Sequence, residues 1–323
     1  MNAMKLLPAA LLVTAAFAGT AAAQTYPSKP IRWVIGFPPG GPTDIVARAV
    51  GQKLSESFGH PVIIDNRAGA GGVTATAQVA KAPADGYTLL MGTIGGIAVA
   101  MSLQPNRGYD TLRDLIAVTQ TVTVTNILVT HPSVPVKNVK EMLALARSKP
   151  GRLTYASSGN GTVTHLAGEL FKHMGKVDVT HVPYKGGAPA LTALMSGEVD
   201  MSYENSLILM PHIKAGKVKA IAVTGTKRSR LMPDLPTIAE DGLSGYNASG
   251  WYGLFVPAAT PKPIVDKLNA EVNRILRLPD IIERLSGQGA EPMGNSVDEY
   301  TAFVRSEIDK WANLVKAAQM KPE

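Results

Sequence analysis

The chain has 323 residues, 45% of them apolar, a formal charge of +7 and no cysteine. Without thiols it has no disulfide framework, no thiolate metal site and no lipid-attachment cysteine. Its basic residues are scattered, with one cluster at Lys227-Arg228-Ser229-Arg230, so the charge suits attraction of acidic solutes and not binding of nucleic acid.

Met1 to Ala23 reads as a secretory signal peptide. Lys5 supplies the positive region, Leu6 to Phe17 the apolar one, and Ala21-Ala22-Ala23 a small-residue cleavage site before Gln24. No later stretch reaches the ~18 uninterrupted apolar residues of a spanning helix. The mature chain is therefore expected to be exported, to the periplasm in a bacterium, and not to be anchored in the membrane. About 300 residues remain, enough for one large or two medium domains.

The mature chain opens on a βαβαβ pattern, with strands expected over Ile31–Phe37, Val62–Asp65 and Tyr87–Gly92 and helices over Asp44–Phe58 and Gly72–Lys81. Alternation of this kind argues for a mainly parallel sheet covered by helices. Each strand ends in a Gly- or Thr-rich loop, Phe37–Asp44, Asn66–Gly72 and Thr93–Gly96, and in open parallel sheets ligands sit at that edge. The first loop, Phe37-Pro38-Pro39-Gly40-Gly41-Pro42-Thr43-Asp44, leaves backbone N–H groups free at a helix N-terminus, where the dipole favours an anion. A plain strand-to-helix turn with no ligand fits those eight residues as well. Gly69-Ala70-Gly71-Gly72 lacks the spacing of a dinucleotide fingerprint and follows the second strand, which favours a tight turn.

A strand at Asn126–Thr130 and a helix at Val139–Ser148 follow, and then the opening theme returns: strand Leu153–Ala156, small-residue loop Ser157–Thr162, helix Val163–Met174. Val179–Val182, the loop Pro183-Tyr184-Lys185-Gly186-Gly187, helix Ala188–Ser196, a strand near Val199–Ser202, helix Ser206–Ala215 and strand Ala220–Thr224 complete a second α/β unit. Leu231 to Gly250 is loop-rich, Trp251–Val256 is one more strand, and the tail is helical over Lys262–Arg277, Pro279–Ser286 and Ser296–Ala318. Helices that bring no sheet of their own must pack on an existing one, and the first is available. The expectation is two lobes, residues 24–125 with 249–323 and residues 126–248, with the chain crossing near Thr125–Asn126 and Ser249–Trp251.

Catalytic and metal signatures are weak. None of the six His lies in a nucleophile-elbow or Cys-His setting, and no phosphate-binding P-loop is present. His165, Glu169 and His173 share one helical face, but nothing nearby completes a metal shell, and His165 is expected to face the loop at its helix start. An exported hydrolase stays open at this point, because triads are assembled in space. Binding is better supported. Two Gly/Ser/Thr loops at helix N-termini, neither with Lys or Arg, would grip a carboxylate through N–H and hydroxyl groups. Gly41 and Gly159 are expected to keep the backbone open at positive φ for that approach.

The stretches YPSKPIRWVIGFPPGGPTD, VIIDNRAGAGG, DGYTLL, YASSGNGTVTHLAGELF, HVPYKGGAPA, AVTGTKRS and LPTIAE resemble, in order and over nearly the whole mature chain, the Bug-type solute receptors of tripartite tricarboxylate transporters. The resemblance implies a two-lobed, flytrap-like periplasmic binding protein of the type II kind, a non-enzymatic and cofactor-free monomer. It implies capture of a small mono-, di- or tricarboxylate and delivery to membrane permease subunits, or presentation to a sensor kinase. By the same resemblance the clamp draws on Phe37, Gly40, Gly41, Thr43 and Asp44 of the first loop and on Ser157, Ser158, Gly159, Gly161 and Thr162 of the second. Thr93 and His165 join them, and Tyr184 and Lys185 fall in a further cleft motif. Glu204 stands where the family often has Asp before Asn, which points either to an altered distal pocket or to a place at the solvent-exposed rim.

Overall fold

The computed structural model describes residues 26–320, so the signal peptide and the cleavage site after Ala23 lie outside the described residues. Strand β1 (Ile31–Ile35) is apolar on both faces, with Trp33, Val34 and Ile35 buried, as expected of a central strand covered on two sides. Helix α1 (Pro42–Phe58) starts at Pro42, where a missing N–H costs nothing, and stops at Gly59 in the left-handed region at φ 66°. β2 (Val62–Asn66), α2 (Val73–Ala80) and β3 (Thr88–Thr93) complete the first βαβαβ run. A π-turn at Gly95–Val99 leads into α3 (Ala100–Leu103). The short α4 (Thr111–Asp114) is capped by Asp110 and opens into β4 (Leu115–Val124).

The second run holds β5 (Asn126–Thr130), α5 (Val139–Ser148), β6 (Thr154–Ser157), α6 (Val163–Gly175), β7 (Thr180–Pro183), α7 (Gly187–Ser196), β8 (Met201–Asn205), α8 (Ser206–Lys214) and β9 (Lys219–Val223). The chain then returns through β10 (Gly250–Pro257), α9 (Lys262–Leu276), α10 (Pro279–Ser286), β11 (Ala290–Pro292) and α11 (Val297–Ala317).

Two sheets result, ordered β11-β4-β10-β3-β1-β2 and β7-β6-β8-β5-β9. Four of six strands point one way in the first sheet (β1, β2, β3, β4), and four of five in the second (β6, β7, β8, β9). Neither sheet is uniformly parallel, however. β10 inserts against the run between β3 and β4, and β5 does the same between β8 and β9. The mainly parallel expectation therefore holds for direction but not for neighbours, because in each sheet a single reversed strand is hydrogen-bonded on both sides. The strand β4, the short β11 and the helical segment after Thr93 are additions to the elements read from the sequence.

The tail helices pack on the first sheet. Trp251 of β10 sits edge-on to Tyr300 of α11, and Glu307 accepts the indole N–H of both Trp251 and Trp311 at 2.8 and 2.9 Å. A single residue, Thr125, separates β4 of one sheet from β5 of the other. Its N–H donates to the Gly289 carbonyl at 3.1 Å and its carbonyl accepts from Ser206 at 2.9 Å.

Candidate functional site

A cavity, partly open to solvent, lies between the two sheets at the carboxyl ends of their parallel strands. Its walls are mostly the starts of helices. Gly41, Pro42 and Thr43 come from the start of α1, Ile94 and Gly95 from the π-turn, and Thr162, Val163 and Thr164 from α6. Gly186, Gly187, Ala188 and Pro189 belong to α7, and Asn205 caps α8. Each helix start presents first-turn N–H groups with no partner inside its own helix, and the positive end of a dipole. Phe37, Trp251 and Tyr252 supply apolar walls. Glu204 is the only charged side chain that lines the cavity among the described residues.

Two buried donors belong to residues of this lining. Thr43 and Asn126 are almost fully enclosed and line the cavity, yet the Thr43 hydroxyl and the Asn126 side-chain N–H find no protein partner. Such groups are costly to bury unsatisfied and normally mark a place where water or a ligand completes the hydrogen bonds.

The two loops expected to clamp are built differently. In the first, Asp44 does not line the cavity. Its carboxylate accepts the Gly40 N–H at 3.0 Å, Arg48 Nε at 2.8 Å and Asn66 Nδ2 at 3.0 Å, so it shapes the loop from behind. Burial pushes its pKa up, and the bonds from Arg48, Gly40 and Asn66 outweigh that, leaving it below the usual value. Gly41 has φ −79°, an extended conformation open to any residue, and a side chain there would meet only the Pro38 carbonyl at 3.4 Å. The expectation of positive φ at Gly41 is thus corrected: the left-handed glycine of this loop is Gly40, at φ 78°, which lies outside the cavity lining.

In the second loop Ser158 and Thr162 line the cavity, whereas Ser157, Gly159 and Gly161 lie behind them. Gly159 is at φ 124° and close to the Tyr184 carbonyl, as a glycine-only position should be. The loop rests on a stack of rings. His165 Nδ1 accepts the Gly161 N–H at 3.1 Å, and its ring lies 4.1 Å from that of His181, which in turn stacks on Tyr155 at 4.7 Å. Ser157 Oγ is 2.6 Å from His181 Nε2 and also accepts the Gly159 N–H at 3.2 Å. Burial, with His165 and Lys172 nearby, pushes His181 down to about 3, so this support stays neutral. His165 therefore meets the loop as expected, but from beneath. Its helical neighbour Glu169 accepts from Tyr155 and pairs with Lys172 at 2.7 Å, which directs it away from a shared metal shell.

Thr93 and Glu204 line the cavity; Tyr184 and Lys185 do not. The Tyr184 hydroxyl donates to Glu198 at 2.7 Å on the outside, and Lys185 is exposed. The motif containing them reaches the cavity through Gly186 and Gly187 instead. Glu204 is fully buried, so the solvent-rim alternative is overturned. Asn126, Asn205, Trp251, Tyr252 and the α7 start were missed as lining residues. For α7 the signal was available, since a Gly-Gly pair before a helix is the same feature that singled out the first loop.

Loops of the two sheets meet across the cavity. At Gly71 (φ 63°) a side-chain carbon would fall 2.5 Å from the Asn160 carbonyl, and at Gly186 one would fall 3.1 Å from Pro38. This is a closed arrangement.

The family model described as tripartite tricarboxylate transporter family receptor matches residues 46–320. The protein BugT of Bordetella pertussis is 36% identical over 99% of this chain and 99% of its own. Rpa4515 of R. palustris, solved with adipate, superposes with a TM-score of 0.90 at 38% identity, over 92% of this chain and all of that one. MatC (Rpa3494) of Rhodopseudomonas palustris, solved with bound malate, gives 0.85 at 35% identity, over 90% of this chain and all of that one.

Proposed function

The chain belongs to the tripartite tricarboxylate transporter receptor family, periplasmic solute-binding proteins of two lobes and not enzymes, and from that premise we propose that it captures a small carboxylate in the cavity and delivers it to membrane permease subunits. Export after cleavage at Ala23 belongs to the same reading. The observation that carries it is the convergence of five helix starts and two unpartnered buried donors on one cavity that, among the described residues, no Lys or Arg lines. The similar structures with adipate and malate support the ligand class.

The carboxylate is gripped by the first-turn N–H groups of α1 and α6, with the Thr43 hydroxyl and the Asn126 amide alongside. Each helix end contributes roughly half a positive charge. A hydrogen bond to a charged group contributes about 1.5–3 kcal/mol. Micromolar affinity needs about 8 kcal/mol, so four or five such bonds suffice without a salt bridge, provided the donors are already in place. Asp44, His165 and His181 hold the loops in that geometry and do not touch the ligand. A thermal-shift screen over mono-, di- and tricarboxylates tests the reading, since a ligand that binds only the folded state raises the melting temperature. At least one carboxylate is expected to do so at millimolar concentration. A flat response across the panel would overturn it.

A further inference from the structure

Glu204 closes strand β8 at the cavity wall and is wholly buried. An ionised carboxylate offers about four acceptor positions. Here the Ser158 hydroxyl donates to Oε1 at 2.8 Å and the Asn205 N–H to Oε2 at 3.3 Å, so half of that capacity is met and one of the two bonds is long. Hydroxyl and amide groups, not a cation, balance its charge.

Its position relative to α7 matters more. A side-chain carbon placed on Gly187, the first residue of α7, would lie 2.7 Å from Glu204 Oε2. The carboxylate therefore sits against the start of α7 and bonds the cap residue of α8. Two of the five helix starts around the cavity already face an anion that the protein itself provides. A ligand carboxylate is left the α1 and α6 side, and its far end meets Glu204.

We infer that Glu204 determines the ligand class: the cavity takes a carboxylate whose far end carries a hydrogen-bond donor, an ammonium above all, and rejects a second carboxylate. The inference rests on the carboxylate-receptor reading above. A donor-ended ligand fills the open acceptor positions of Glu204 and neutralises a buried charge. A dicarboxylate sets two anions side by side in a poorly solvated wall, where like charges repel strongly and one must take up a proton. Burial already raises the Glu204 pKa to about 7, in keeping with a carboxylate short of partners.

Calorimetric titration at about pH 8, where Glu204 is mostly ionised, tests this with chain-matched pairs: succinate against γ-aminobutyrate, glutarate against δ-aminovalerate, adipate against ε-aminocaproate. At the chain length that binds best, the amino acid is expected to bind about tenfold or more tightly than the dicarboxylate, the difference of one charge-assisted bond. Glu204→Gln is expected to erase or reverse that preference. Equal affinity within each pair, or preference of the wild type for the dicarboxylate, would overturn the inference while leaving the carboxylate reading intact. The wild-type ratio decides this even if the variant does not fold. An unchanged preference in a folded Glu204→Gln variant would assign Glu204 a purely structural role and also overturn it. Absence of binding by all six compounds, with no thermal shift from any carboxylate, would overturn both readings together.

Discussion

Glu204 couples its surroundings to the stability of the whole protein. An ordinary glutamate titrates near 4.5, and this one near 7 because burial penalises its charge more than Ser158 and Asn205 relieve it. Between those values the folded protein holds a proton that the unfolded chain has released. The favourable contribution is therefore complete below about pH 4.5 and is lost as pH rises through 7. The loss is of order 3 kcal/mol, from 1.36 kcal/mol per pH unit. Urea unfolding near pH 5 and near pH 8 is expected to show the wild type losing more stability than Glu204→Gln over that interval. Identical losses would mean that Glu204 is ionised throughout. The sequence made Glu204 conspicuous by its departure from a motif, but it could not give its depth. Only the packing of β8 under α7 does that. The same holds for Tyr184 and Lys185, which share a motif with the cavity wall yet turn outward once β7 has fixed their direction.

At the scale of elements, the strands with plain apolar runs and the helices with regular periodicity were legible, β1, β5, α5 and α11 among them. β4 was not, because it is buried on both faces and carries Thr119, Gln120 and Thr121, which read as polar, in its middle. The Gln120 amide donates within the strand to Thr123 at 2.9 Å, but the two threonines are paired over long sequence distances. The Thr119 hydroxyl donates to Asn273 at 2.7 Å and the Thr121 hydroxyl to the Tyr252 carbonyl at 3.0 Å. No local pattern announces a strand whose buried threonines are satisfied by elements 130 or more residues away. The loop Asn66–Gly72 also gains a meaning that its sequence lacked. Gly71 passes so close to Asn160 that Gly71→Ala must push the opposing loops apart. Overpacking of this kind costs roughly 1–3 kcal/mol, and charged against the closed form it lowers affinity about five- to hundredfold. Calorimetry with the carboxylate that gives the largest thermal shift checks this, with circular dichroism to show an unchanged fold. Lys227→Ala, exposed in the basic cluster, is the contrast and is expected to bind as the wild type does. Full affinity in Gly71→Ala would mean that the loops need not meet for the ligand to be held.

At the scale of the molecule, the two sheets are joined by Thr125 and by the return into β10. We propose that residues 24–125 with 249–323 and residues 126–248 move as two lobes about these connections. Ligand then favours the closed form through contacts that exist only when the loops meet. Small-angle scattering is expected to give a smaller radius of gyration with saturating ligand than without, and an unchanged radius would argue for a rigid cleft. The lobes were foreseeable from the repeated strand-loop-helix theme. The facing of their helix starts is a property of the assembled chain. Whether those helix starts hold a carboxylate anion is measured by comparing a bound carboxylate with its methyl ester in calorimetric titration. The ester removes the charge and adds only one methyl group. The acid is expected to bind, and the ester to show no measurable heat at the same concentration. Equal affinity for the two would contradict this.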